Sequence, residues 1–261
     1  MTSSYPSLLQ AAPAVTVSIV SHGQGNQVAA LLDDLGRLQL DVDLIVTVNV
    51  PEPRPAVPQS LATRTRWLAN ASPRGFAANH NAAFRQCATP FFCVVNPDIR
   101  LHGDAFALLA SHLSDPKIGV VGPAVLDVNG QIEDSVRRFP TLGGLAVKLL
   151  GQNDGRYSFG LGDKPFDADW IGGMFMLFRS SAFAAVGGFN EKFFLYYEDV
   201  DICARLWKAG YRVLACPSVS VVHDAQRTSR HDWRYRRWHA QSMLRYFAKH
   251  WLRLPRPSGP D

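Results

Sequence analysis

Cysteine is scarce in this chain of 261 residues, and its four copies, Cys87, Cys93, Cys203 and Cys216, form no C-x-x-C pair and no Cys/His spacing of the metal-binding kind. That excludes a disulfide framework and a structural zinc site as organising devices. Long hydrophobic runs are also missing, since no stretch reaches the ~18 uninterrupted apolar residues that a bilayer span requires. The opening "MTSSYPSLLQAAPAV" has neither the basic start nor the apolar centre of a secretion signal. A cytoplasmic location is the expectation. Acidic charge is thin only at one end: nine of the 27 Lys and Arg residues, but two of the 22 acids, lie beyond Asp224, leaving 18 basic against 20 acidic residues before it. The body of the protein therefore has no bulk charge for nucleic acid, and no nucleic-acid partner is expected.

What is present is an ordinary globular composition, 47% hydrophobic with 20 Gly and 17 Pro, enough to bury a substantial core. "VTVSIVS", "DLIVTVNV", "TRWLA" and "FFCVVN" are β-rich runs separated by loops or by segments with helical spacing, Gln27 to Leu38 and Gly75 to Cys87. Such alternation predicts a mostly parallel sheet covered by helices on both faces, an α/β fold whose ligands gather at the carboxyl ends of the strands. Polar residues fall at those ends: Ser21 and His22, Asn49, and Asn96 with Asp98. Turn preference alone places Asn, Asp and Ser there as well. In the second half, "IGVVGPAVLDVNGQI" reads as two short strands around Pro123 and "WIGGMFMLFR" as a strand opened by a glycine pair. The Gly- and Asp-rich stretch between reads as loop, with one short helix near Leu142 to Leu150.

Residues 193 to 212, "FFLYYEDVDICARLWKAGYR", put Glu198, Asp199 and Asp201 behind an aromatic run, on the first turn of a helix spaced through Val200, Cys203, Leu206 and Trp207. Carboxylates suit a helix N-terminus in any protein. Asp201 also stands four residues before Arg205, an ion-pair spacing that assigns it to structure. Glu198 and Asp199 emerge beside an apolar wall, where partial burial raises a carboxyl's proton affinity toward that of a working base.

"NPDIRL", "DPKIGVVGPAVLDVNGQI", "WIGGMFMLFR", "VGGFNEKFFLYYEDVDICARLWKAGYRV" and "VVH", in this order, resemble the family 2 inverting glycosyltransferases, particularly the rhamnosyltransferase-like group. The likeness runs from about Val15 to His223. It implies the GT-A fold, a Rossmann-like nucleotide half joined to an acceptor half, and transfer of a sugar from a nucleotide diphospho-sugar, dTDP- or UDP-linked, to a glycan or glycolipid acceptor. By the same resemblance Asp199 is the general base and Glu198 orients the acceptor or supports Asp199. Asp98, in an Asn-Pro-Asp segment where the family carries an Asp-x-Asp motif, binds Mg2+ or Mn2+, and His223 completes the metal shell. Ser21, His22 and Gly23 occupy the first-strand loop that holds the base and ribose, although the family more often has Tyr-Asn or a similar pair there; Gly75, Phe76, Asn81, Asn96 and Asp98 match other donor-side positions, and Trp170, Gly172 and Gly173 match the acceptor-side motif. One departure stands out. The family ends its second strand with an Asp-Asn pair whose Asp holds the nucleobase, but this chain has Val48-Asn49, so Asn49 or Glu52 is expected to substitute.

The tail "RTSRHDWRYRRWHAQSMLRYFAKHWLRLPRP" sets Trp233, Ala240, Leu244, Phe247 and Trp251 at helical spacing among arginines, an amphipathic helix. Its apolar stripe is expected either to pack on the domain or to lie on the inner face of an anionic membrane. A catalytic domain over residues 1–224, unstructured over 1–14, is thus expected to carry a basic appendage over 225–261. Two other functions fit less well. A sugar nucleotidyltransferase needs a cation in the first loop, and "SHGQGNQ" has none; a non-catalytic sugar-nucleotide or membrane-surface binding protein would account for the missing nucleobase acid.

Overall fold

The structure is a computed structural model that describes residues 15–38, 41–144, 155–224, 233–250 and 253–255. The expectations for residues 1–14, for most of the helix near Leu142 to Leu150, and for Trp251 lie outside these residues.

Four strands, β1 (Val15–Ser21), β2 (Val42–Val48), β3 (Thr65–Ala69) and β4 (Phe91–Val95), run parallel in the order β3-β2-β1-β4. Beyond β4 the sheet continues through β10 (Phe175–Arg179), β6 (Ile118–Leu126), β11 (Arg212–His223) and the edge strand β5 (Ile99–Arg100). Of these pairings β6 with β11 is parallel, whereas β10 lies antiparallel to both its neighbours and β5 antiparallel to β11. A short strand, β8 (Phe166–Asp167), pairs with β11 off this path. β7 (Val136–Arg137) and β9 (Trp170–Ile171) form a separate two-stranded sheet.

Alternation along each strand divides the core in two. Val15, Val17, Ile19, Cys93, Val95, Phe175 and Leu177 belong to one buried cluster, and Phe92, Val94, Met176 and Phe178 to the other. Helices α1 (Gly25–Arg37) and α3 (Ala105–His112) cover the first face; α2 (Phe76–Phe84), α4 (Ser180–Ala185), α5 (Glu198–Lys208) and α6 (Trp233–His250) lie on the second. The expected spacing of Val28, Leu31, Leu32 and Leu35 is the buried stripe of α1. Asp34 on the same helix takes the Arg100 guanidinium at 2.6 and 2.8 Å and the Leu101 N–H at 3.1 Å, tying α1 to β5.

Two expectations about strands are corrected. β6 runs unbroken through Pro123, because its pairing with β10 involves only Val120 and Val121 and its pairing with β11 is interrupted just there, between Cys216 and Ser220. Proline sits at an irregularity where a missing N–H costs little. Conversely, Gly172 and Gly173 do not open a strand but divide the run "WIGGMFMLFR" into β9 and β10, which belong to different sheets.

Candidate active site at the strand ends

The carboxyl ends of β1 and β2 are tied together before any ligand arrives. Asn49 is buried and uses its whole side chain: its amide nitrogen bonds Arg74 O and His22 Nδ1, each at 3.0 Å, and its oxygen accepts from Asn70 at 2.7 Å and from Arg74 N–H at 2.8 Å. Two donors and two acceptor sites are all an amide has, so Asn49 builds the floor of the loop rather than presenting itself to a nucleobase. Ser21, also buried, points its hydroxyl at Gln24 N–H, 3.3 Å away, at the start of α1. Exposed in this loop are His22 and Gly23, the latter at φ +80° with its N–H on Glu52 Oε1 at 3.1 Å. Glu52, the alternative to Asn49, is thus the acid at this mouth.

Two donor-side assignments turn out to be internal supports. Asn81 bonds Phe189 through both its atoms, at 2.8 and 2.9 Å, and reaches Glu191 at 3.1 Å, fastening α2 to the "GGFNE" loop. Gly75 does permit a close backbone approach, but to Phe194: a Cβ there would lie 2.4 Å from Phe194 O, and Phe76 N–H donates to that same oxygen at 2.9 Å. Phe76 sits between the two halves, its ring near the position a Cβ of Gly173 would take.

At the end of β4, Asn96 N–H bonds Met174 O at 2.9 Å and Asp98 follows on the turn. Asp98 Oδ2 lies 3.2 Å from His223 Nε2, at the end of β11, and His223 Nδ1 lies 2.7 Å from Glu133 Oε2. The other oxygen of Asp98 is buried with no protein partner. Burial alone would lower the imidazole's proton affinity, but Asp98 and Glu133 on its two nitrogens lift its pKa to about 9. Glu133 was not foreseen, because only the turn at Asn129 and Gly130 marks its segment; folded, its N–H bonds Val125 O at 2.7 Å and returns its side chain beneath the histidine.

This pair can take a divalent cation only when His223 gives up the proton that its two carboxylates favour, since a ligating imidazole is neutral. Two ligands of one octahedral ion bound at ~2.1 Å stand about 3 Å apart, close to the separation of Asp98 Oδ2 and His223 Nε2. Glu133 on the far nitrogen is the usual outer partner of a ligating histidine. Among the described residues no group of three or more His, Cys, Asp or Glu side chains is disposed to hold a metal. Water and phosphate oxygens would have to complete the shell.

The acids open α5 as the spacing predicted. Before them Tyr196 and Tyr197 both adopt left-handed backbone, φ 70° and 67°, a conformation residues with a Cβ rarely hold. Asp199 is cradled by two amides, Gly173 N–H on Oδ2 at 3.0 Å and Val200 N–H on Oδ1 at 2.8 Å. Glu198 is 5% exposed and its Oε2 has no partner. Burial raises both carboxyls; the neighbouring Asp199 charge pushes Glu198 further up, whereas the amides pull Asp199 back. Of the two, Glu198 is the carboxyl pushed up further, because it lacks the amide donors that hold Asp199.

Gly173 links the centres, since its N–H holds Asp199 while the next residue, Met174, bonds Asn96. Asp98 and Asp199 therefore flank one segment at one end of the sheet. The space beside the two glycines is already taken: a Cβ on Gly173 would meet Phe76 at 3.2 Å and one on Gly172 would meet Met174 at 3.1 Å. The Trp170 indole N–H is likewise committed, to Arg138 O at 3.0 Å. Asp201 is fully buried and structural, accepting from Arg205 at 2.8 Å, Lys249 at 2.6 Å and His250 at 2.8 Å.

Comparison with known proteins bears on the family and the fold. Residues 91–256 match the model of the family described as "Glycosyl transferase family group 2". Rhamnosyltransferase WbbL of Escherichia coli K12 is 28% identical over 248 residues, spanning 90% of this chain and 93% of that protein. The N-acetylglucosaminyl-diphospho-decaprenol L-rhamnosyltransferase of Mycobacterium tuberculosis is 35% identical over 149 residues, 53% of this chain and 48% of its own length. Among solved structures, a mannosyltransferase from Pyrobaculum calidifontis in complex with GDP-Man and Mn2+ superimposes with a TM-score of 0.63, covering 94% of this chain and 66% of that one at 18% identity. At that identity the likeness establishes the fold, which is GT-A.

Proposed function

The chain belongs to glycosyl transferase family group 2, and from that premise we propose that it is an inverting hexosyltransferase moving a sugar, L-rhamnose foremost, from a nucleotide diphospho-sugar to a glycan or lipid-linked acceptor. The observation that carries this reading is the Asp199 carboxylate, held by two amides beside the buried Glu198, with Gly173, which supplies one of those amides, next to the residue that bonds Asn96 at the end of β4.

The acceptor hydroxyl attacks the anomeric carbon as the bond to the leaving diphosphate breaks, and its proton passes to Asp199. Glu198, buried beside it, supports Asp199 or orients the acceptor. Gly173 and Val200 fix the base on its line of approach. Asp98 and His223 would hold Mg2+ or Mn2+ between them. That ion, when bound, neutralises charge accumulating on the diphosphate. Loop residues His22, Gly23 and Glu52 line the donor's nucleoside end, and Asn96 lies beside the diphosphate. Trp170, with its N–H committed to backbone, has its indole face for the acceptor sugar.

The acceptor's lipid gives the C-terminal helix a second use. Trp233 and Leu244 are 65% and 68% exposed, with Arg236 and Arg237 exposed beside them, a pairing suited to an anionic bilayer. No helix among the described residues is long and apolar enough to cross one. The proposed location is the cytoplasmic face of the membrane, held peripherally.

The test is transfer itself. Purified protein is incubated with dTDP-rhamnose, UDP-sugars and GDP-sugars, with and without Mn2+, and a short-chain prenyl-diphosphate GlcNAc acceptor. The expected result is one donor consumed only with the metal, giving a glycoside of inverted anomeric configuration. Donor binding without transfer under any of these conditions would make the protein a binding module instead.

A further inference from the structure

The segment that aims the acids is strained, and much of its support comes from the far end of the chain. Left-handed backbone at two consecutive tyrosines persists only where the surroundings over-determine it. The carbonyls of this segment have specific partners: Phe194 O takes Phe76 N–H at 2.9 Å, Leu195 O takes Ser242 Oγ at 2.9 Å, and Tyr197 O takes Asp201 N–H at 2.9 Å. Its rings stack on α6. Phe194 meets Trp238 at 4.8 Å between centroids, Tyr197 meets Tyr246 at 5.3 Å, and both tyrosines meet His239 at 5.4 Å. Lys249 and His250 then clamp Asp201, one helical step beyond the catalytic pair.

The buried residues of α6 are Ser242, Tyr246 and His250, a stripe at intervals of four, and not the more apolar stripe through Trp233 and Leu244. A helix that served only to cover hydrophobic surface would bury its apolar face. This one sets a serine hydroxyl on Leu195 O, a tyrosine ring on Tyr197 and an imidazole on Asp201, with Phe247 partly buried beside them.

We propose that α6 is a positioning element for catalysis: Ser242, Tyr246 and the Lys249–His250 pair hold Tyr196 and Tyr197 left-handed so that Asp199 stays aimed at the acceptor hydroxyl. The inference rests on Asp199 being the base. It makes the helix part of the machinery on its inner face while its outer face stays open.

Ser242→Ala, Ser242→Thr and Tyr246→Leu are compared with Asp199→Asn, using dTDP-rhamnose and the short-chain prenyl-diphosphate GlcNAc acceptor and measuring kcat, both KM values, donor affinity and the thermal midpoint. Ser242→Ala is expected to lower kcat about tenfold, the kinetic equivalent of one lost hydrogen bond, with donor affinity unchanged. Ser242→Thr, which keeps the hydroxyl, should recover most of the loss, and Tyr246→Leu should fall further. Wild-type kcat in Ser242→Ala, with only the thermal midpoint lowered, would overturn the proposal, and that variant decides alone if Tyr246→Leu does not fold. Turnover surviving in Asp199→Asn would overturn the base assignment beneath it, a separate and recognisable failure.

Discussion

Three carboxylates within four residues have three different fates. Asp201 receives three cationic or imidazole donors and sits well below the usual carboxylate range, at about 2, despite burial that would raise it. Asp199 receives two neutral amides, and Glu198 is left with a buried oxygen that nothing in the protein meets. Glu198→Gln, which imitates the protonated acid, is therefore expected to keep transfer within about tenfold of wild type, whereas loss of a general base costs ~10²–10⁴. Equal loss in Glu198→Gln and Asp199→Asn would reject this division. The sign of the pH dependence follows. Asp199 must be unprotonated to act and its pKa is raised from 3.8, so kcat/KM should fall as pH drops through a limb lying above that value; a limb at or below it would mean a solvated carboxylate. The role of Asp201 was legible from its spacing to Arg205. Asn49 and Asn81 were not, because whether an amide faces ligand or protein depends on partners as far away as Arg74 and Phe189.

At the scale of elements, the strands were readable because those of a parallel sheet are buried on both faces and rich in β-branched and aromatic residues, as β1 and β4 are. Strands of two residues, β5, β7, β8 and β9, have no periodicity to read. The helix carrying the acids was placed correctly, and the left-handed entry to it was not, since tyrosine gives no sign of positive φ. Nor did hydrophobicity reveal the inner face of α6, which is chosen by hydrogen bonds and rings. Gly75 is the sharpest element-level test. A methyl group there would run into Phe194 backbone at 2.4 and 2.8 Å, and neither chain can give way without moving the acid turn. Gly75→Ala is expected to lower stability by about 1–3 kcal/mol and to reduce kcat as well, checked by thermal denaturation and transfer rates; unchanged kcat would show that the turn tolerates displacement.

Across the whole molecule, the C-terminal helix, the acid turn and the two halves of the sheet form one connected structure, and Asp201 is the joint most open to measurement. Its folded pKa of about 2 lies below its ordinary 3.8, so its contribution is complete above the ordinary value and disappears as pH falls from about 4 toward 2. Integrated over that shift it amounts to roughly 2 kcal/mol, and Asp201→Asn should lack this part of the acid-induced decline in stability. Donor holding and proton removal are separate jobs of the site, with Gly173 N–H on Asp199 and Met174 O on Asn96, two residues before Asp98. Calorimetric titration of dTDP-rhamnose with Mn2+ into wild type, Asp98→Asn and Asp199→Asn, paired with transfer rates on the same samples, tests that separation most directly. The expected result is loss of Mn2+-dependent donor affinity in Asp98→Asn, and wild-type affinity with turnover reduced at least about a hundredfold in Asp199→Asn. Wild-type turnover in Asp199→Asn, or undiminished Mn2+-dependent affinity in Asp98→Asn, would contradict it.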